Sequence, residues 1–151
     1  MASTGPREPE RRATVRGVGR ALLRLPVYLW AAPARLVGLL LALPALVSGA
    51  RLRRVGGTLE IGGGRLPALL ARLPLPADIA AMTFGHVILG RDPRSLRACR
   101  RHERVHVRQY ERWGLLFFPL YLGSSLRQWL RGRDPYLDNR FEVEAYRLGR
   151  R

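Results

Sequence analysis

The chain contains no lysine, and all 27 of its basic residues are arginine. Asparagine occurs once, isoleucine three times and phenylalanine four times. Alanine, glycine, leucine, proline and arginine dominate instead. This is the bias of a GC-rich genome, which raises arginine without selection for a nucleic-acid partner. The net charge of +16 is therefore weaker support for such a partner than its size suggests. Neither a zinc-finger spacing nor an aromatic-interleaved basic motif is present, so no specific nucleic-acid function is expected. The single cysteine, Cys99, excludes an intramolecular disulfide. Its expected role is that of a small buried residue. No internal repeat is found. Histidine is scarce too: of three, two fall within five residues of each other.

At 151 residues the chain has room for one domain with attachments. Residues 1–24 are polar and carry six arginines, which predicts a basic disordered N-terminus running into a helix from about Thr14. Residues 25–50 are apolar except for Arg35. The uninterrupted run from Leu36 to Ala50 is shorter than the about 20 residues that a membrane span needs. Taking in the preceding residues gives the length but puts Arg35 near mid-membrane, at a cost of about 2.5–3.5 kcal/mol. Membrane association through residues 25–50 is the expectation. A single anchor, a hairpin bent at Pro33 or Pro44, a signal peptide and a buried core helix all remain open. Arginines on both sides leave the topology undecided.

Residues 51–151 form the expected folded domain, of α+β class. Two short runs flank Gly56-Gly57, which predicts a hairpin with a two-residue turn. Leu66 to Leu73 has helical apolar spacing and is stopped by Pro74 and Pro76. Ala80 to Leu89 favours a strand. Asp92 and Pro93 then suit the N-cap and first position of a long helix, which Gly114 ends. Leu115 to Leu130 predicts a further apolar helix packed on it. Asp138-Asn139 opens a last helix from Arg140 to about Leu148.

The long helix carries His102-Glu103-Arg104-Val105-His106, an H-E-x-x-H motif. Residues four apart lie on one helix face, one turn apart, so the two imidazoles converge on one ion. Zinc suits imidazole nitrogen and keeps a fourth position open in catalytic sites. Glu103 is rotated off the ligand face, in reach of a water that zinc would make acidic. His102 and His106 are the candidate metal ligands and Glu103 the candidate general base. A third ligand is needed. Glu142 and Glu144 on the last helix are the candidates, ahead of Asp134 and Asp138. The Asn139-x-x-Glu142 spacing also fits a capping box, which would occupy Glu142 within its own helix. His86 is a candidate for binding substrate or an oxyanion, and Gln109 for orienting a ligand through a hydrogen bond. The arginines from Arg100 to Arg112 are expected to form the solvated back of the helix.

HERVHVRQY followed by NRFEVEAY resembles the small HExxH zinc metallopeptidases of the gluzincin group, especially compact bacterial members. The resemblance covers roughly residues 55–148. It implies a small zincin-like domain with a short mixed sheet, Zn2+ as cofactor, and a peptide or protein as substrate. It also implies Glu142, from the E-x-x-A pattern Glu142 to Ala145, as third ligand. In that group a strand before the motif helix borders the cleft, and the substrate backbone pairs with it. Met82 to Leu89 takes that place here, with Phe84, Gly85 and His86 as substrate-binding candidates. Several branches carry an aspartate after the alanine, where this chain has Tyr146. Support for the ligands is then expected from Gln109 and from Asn139 or Asp138. The alternative is a non-catalytic, membrane-associated regulatory or binding module on the same metal scaffold.

Overall fold

A computed structural model of the chain describes residues 26–72 and 79–150. The expected disordered N-terminus and the Pro74/Pro76 stop lie outside the described residues. A helical stretch at 26–30 leads into α1 (Ala32–Val47), followed by β1 (Arg51–Val55), β2 (Thr58–Gly62) and the short α2 (Leu66–Leu70). Then come β3 (Ala81–Phe84), β4 (Val87–Gly90), α3 (Pro93–Trp113), a 3-10 turn at Gly114–Leu116, α4 (Phe117–Leu130) and α5 (Arg140–Gly149). The fold is α+β, with one mixed four-stranded sheet in the order β1-β2-β4-β3. The β1–β2 and β4–β3 pairs are antiparallel, and β2–β4 is parallel.

Glycine makes two tight turns in this sheet. Gly56 and Gly57 both have positive φ, at 55° and 87°, the geometry of the hairpin turn whose twist matches its strands. Thr58 closes that turn by donating to the Val55 carbonyl at 2.7 Å. The second turn corrects an expectation. Residues 80–89 are not one strand: the chain reverses at Gly85-His86, with Gly85 at φ 58°, and makes the β3–β4 hairpin. β-branched and aromatic residues on both sides of Gly85 mask the turn. Of these two strands only β3 lies at an edge of the sheet; β4 lies inside it, and all four of its residues are buried.

The apolar segment packs on this sheet. Ala42 and Ala45 of α1 share a core with Ile61, Leu66, Phe84, Val87 and Leu89. A Cβ on Gly38 would stand 2.8 Å from the Phe84 Cβ, so only glycine lets the helix approach so closely. The hydrogen bonds from Ala31 to Val27 and from Arg35 to Ala31 carry the helix past Pro33. α1 also runs through Pro44, so the segment bends into a hairpin at neither proline. No helix among the described residues is long and apolar enough to cross a membrane.

On the other side of the sheet, α3 is tied down by a charge pair. Glu60 of β2 is buried, and Arg100 grips it with Nε at 2.7 Å and Nη2 at 2.8 Å. Arg100 therefore does not belong to a solvated helix back. A two-pronged guanidinium–carboxylate contact fixes orientation as well as charge. It sets how far α3 lies from β2 and β4.

Candidate metal centre

α3 starts where the Asp92 side chain accepts from the backbone N–H groups of Arg94 (2.7 Å) and Ser95 (2.9 Å). These bonds, that of Ser95 first, hold the Asp92 carboxyl below its ordinary range. The helix ends at Gly114, with φ 54°. Between these points, His102 and His106 leave the face that meets α5. The crossing is close, since a Cβ on Gly149 would meet the His102 Cα at 3.0 Å. The inward face of α5 carries Phe141, Glu142 and Ala145, all buried.

This crossing brings three side chains together. His102 Nε2 and His106 Nε2 are 3.0 Å apart. Glu142 Oε2 lies 3.2 Å from His102 Nε2, and Oε1 lies 3.4 Å from His106 Nε2. Two donors held tetrahedrally by one ion at about 2.0–2.1 Å stand about 3.3 Å apart. All three separations are near that value. The three residues could hold a metal ion. Glu142 Oε2 is also buried without accepting a hydrogen bond, an unmet acceptor that a cation would satisfy.

Each member is held by its surroundings. His106 Nδ1 lies 2.8 Å from Gln109 Oε1. The Gln109 amide nitrogen donates to the Phe141 carbonyl at 3.1 Å and to Glu144 Oε2 at 2.9 Å. With the NH2 so occupied, the amide oxygen must face His106 and accept from Nδ1–H. When neutral, the ring then turns a bare Nε2 toward Glu142. Burial lowers the His106 pKa, but Glu142, Glu103 and Gln109 more than reverse that, leaving it above the ordinary value. Glu142 Oε1 accepts from the Tyr121 hydroxyl at 2.7 Å. Burial would raise the Glu142 carboxyl, yet His102, His106 and Tyr121 bring it down to about 2. The tyrosine is pushed far upward by burial and by Glu142, so it stays protonated and donates. His102 is covered by the Tyr146 ring, with centroids 4.7 Å apart.

The two glutamates on α5 thus take different parts. Glu142 faces the histidines, and Glu144 holds Gln109. Glu142 forms no capping box. Asn139 caps α5 by accepting from the Phe141 N–H at 3.0 Å, while its amide donates to the Tyr121 carbonyl and to Ser125. Asn139 therefore seats α5 on α4 and bonds to no histidine. Asp134 accepts from the Tyr136 and Leu137 N–H groups, and Asp138 from that of Asp134. These two carboxylates are spent on their loop, where short-range backbone bonds outcompete a distant ligand role.

Glu103 is buried beside the cluster, and its Oε2 accepts from the Thr83 hydroxyl of β3 at 2.7 Å. Two cavities meet at His102 and Glu103. The larger, of about 540 Å3, also touches Cys99, Asp134, Tyr136 and Tyr146. The smaller, of about 210 Å3, is lined by Met82, Phe84, Phe117, Phe118 and Leu122, with His106 and Glu142 at the same wall. Tyr136 borders both. Half-buried Cys99 has its thiol pKa pushed up, first by burial and then by Glu103.

Phe84 borders the apolar cavity, whereas Gly85 and His86 border neither. His86 is buried in the β3–β4 turn, 3.1 Å from Glu111 and against the Tyr28 ring at 4.4 Å. It ties the sheet to α3 and to the N-terminal helical stretch. Thr83, Tyr121 and Tyr136 were not singled out in the sequence. Only the tertiary fold brings them to the cluster, and no fixed spacing to the motif marks them. Compared with protein-family models, with curated proteins and with solved structures, the chain finds no match.

Proposed function

We propose that this chain is a zinc-dependent peptidase built on a zincin-like scaffold, with His102, His106 and Glu142 as metal ligands and Glu103 as general base. The convergence of two imidazoles and one carboxylate beside a separate buried carboxylate carries this reading. Two histidines and a glutamate are a ligand set that suits zinc. A zinc ion held there would supply Lewis acidity toward water and a peptide carbonyl at neutral pH.

The chain's own groups supply the rest. Glu103 takes a proton from the attacking water and delivers it to the leaving nitrogen. Thr83 holds the Glu103 carboxylate on the side of β3. That strand is an edge of the sheet, so an extended substrate adds to it as a further strand. Tyr136 borders both cavities, and we assign its hydroxyl as a donor for the substrate carbonyl oxygen. The aromatic cavity beside Glu142 takes an apolar side chain next to the scissile bond.

Zinc content and peptide hydrolysis, measured together, test the proposal. Glu103→Gln keeps the zinc and loses hydrolysis by at least about a hundredfold. Hydrolysis that survives this change removes Glu103 as the base. Zinc bound by an inactive wild-type protein favours the non-catalytic module instead.

A further inference from the structure

The α1 helix is built inside out for a helix that meets water. Its buried residues are the small ones, Ala34, Gly38, Ala42 and Ala45. Leu39, Leu41 and Leu46 pack partly against the core, but the rest of its large residues point outward: Leu36 is 60% exposed, Leu40 65%, Leu43 53% and Val47 89%. A surface helix ordinarily buries its leucines and exposes polar groups. Here Arg35 is the only charged residue in the helix. The close approach of Gly38 to Phe84 and Val87 leaves no room for a large side chain at that point of the contact. Small residues facing a protein neighbour and leucines facing away is the arrangement of helices bathed in lipid. The exposed apolar surface continues through Leu29 and Trp30. Trp30 packs on Gly114, and the next residues, Leu115 and Leu116, are exposed as well.

We propose that this face docks on an anionic lipid bilayer, lying in the interface. The charge beside it selects that occupant. Directly after α1, β1 presents Arg51, Arg53 and Arg54, all exposed, together with half-exposed Leu52. Leucines enter the acyl boundary while guanidinium groups meet headgroup phosphates. Six further arginines precede residue 25 in the chain. A second copy of the chain would bring another +16 charge against the first, which disfavours self-association through this face. One face of α1 is covered by the sheet, and no helix among the described residues is long and apolar enough to cross a membrane, so the helix lies flat. Trp30 sits at one end of the stripe, where an indole favours the headgroup level. The inference is independent of the metal centre.

The test uses the full chain with sedimented vesicles of phosphatidylcholine, with and without phosphatidylglycerol. The protein pellets with the anionic vesicles, its tryptophan emission shifts to the blue, and added salt weakens binding. Replacing Leu36, Leu40 and Leu43 by Ser, with helicity checked by circular dichroism, weakens binding about tenfold for each leucine removed. In a separate arm, Arg51→Gln, Arg53→Gln and Arg54→Gln together weaken the preference for phosphatidylglycerol, and an unchanged preference would remove these arginines from the docking face. Wild-type protein that stays in the supernatant with anionic vesicles overturns the proposal. So does undiminished binding by a folded leucine variant. A dimer in sedimentation velocity that the leucine variant abolishes, without vesicle binding, would assign the face to a second copy.

Discussion

Gln109 Oε1 accepts from His106 Nδ1–H at 2.8 Å, and this bond decides which imidazole nitrogen is offered to a cation. The amide cannot flip, because its nitrogen is already committed to the Phe141 carbonyl and to Glu144. A carboxylate on α5 thereby orients a histidine on α3 through an intervening amide. Gln109→Leu removes the acceptor while keeping bulk. It should lower zinc affinity about 10–100-fold in competition with a chromophoric chelator. Glu144→Gln should cost less, since the amide can still bond to Phe141. Unchanged affinity in Gln109→Leu would show that the bond does not matter for the metal.

Glu142 and Glu144 are two residues apart and make different contacts. Glu142→Ala should abolish stoichiometric zinc binding, whereas Glu144→Ala should retain it at reduced affinity. Metal analysis of the two purified variants decides the matter. Loss of zinc from the Glu144 variant alone would transfer the ligand role.

Arg100 and Glu60 provide a test of the scaffold away from the metal. Glu60 is buried, with its side chain 3% exposed, and Arg100 is its bidentate partner. Arg100→Ala strands that carboxylate and should lower the unfolding free energy by about 3 kcal/mol, read from urea denaturation. Replacing both residues by leucine should recover most of the loss. An unchanged denaturation midpoint in Arg100→Ala would mean that water replaces the guanidinium.

Asp92 gives a pH dependence whose sign is set by its cap bonds. Its folded pKa lies below the ordinary value because the N–H groups of Ser95 and Arg94 favour the carboxylate. The stabilisation is therefore full above the unfolded pKa and is lost as pH falls through the folded one. Asp92→Ala should melt below wild type at neutral pH, and the gap should close in acid. A gap that persists at the lowest pH where both fold would point to another cause.

Local rules reach far into this chain. Gly56-Gly57, Asp92-Pro93, Gly114 and Asn139 mark turns and caps with chemistry confined to a few residues. The two histidines needed only the helical period to be placed on one face. Gly85 was missed because one glycine among Thr83, Phe84, Val87 and Ile88 competes with a strong strand signal. The partition of Glu142 and Glu144 depends on how α5 crosses α3, which spacing along one helix cannot reveal. Thr83, Tyr121 and Tyr136 reach the cluster from distant segments. Arg100 looked like one more arginine on a basic face, because its partner lies 40 residues earlier, on β2.

The zinc stoichiometry of the full chain, with the ligands identified by X-ray absorption, decides whether His102, His106 and Glu142 hold a metal. The whole chain is the sample to use, because α1 shares the core of the sheet. One tightly held zinc per chain, bound by two imidazoles and a carboxylate and lost in His102→Ala, is the predicted result. A protein that retains no zinc after reconstitution, or that retains it equally in His102→Ala, would contradict the account.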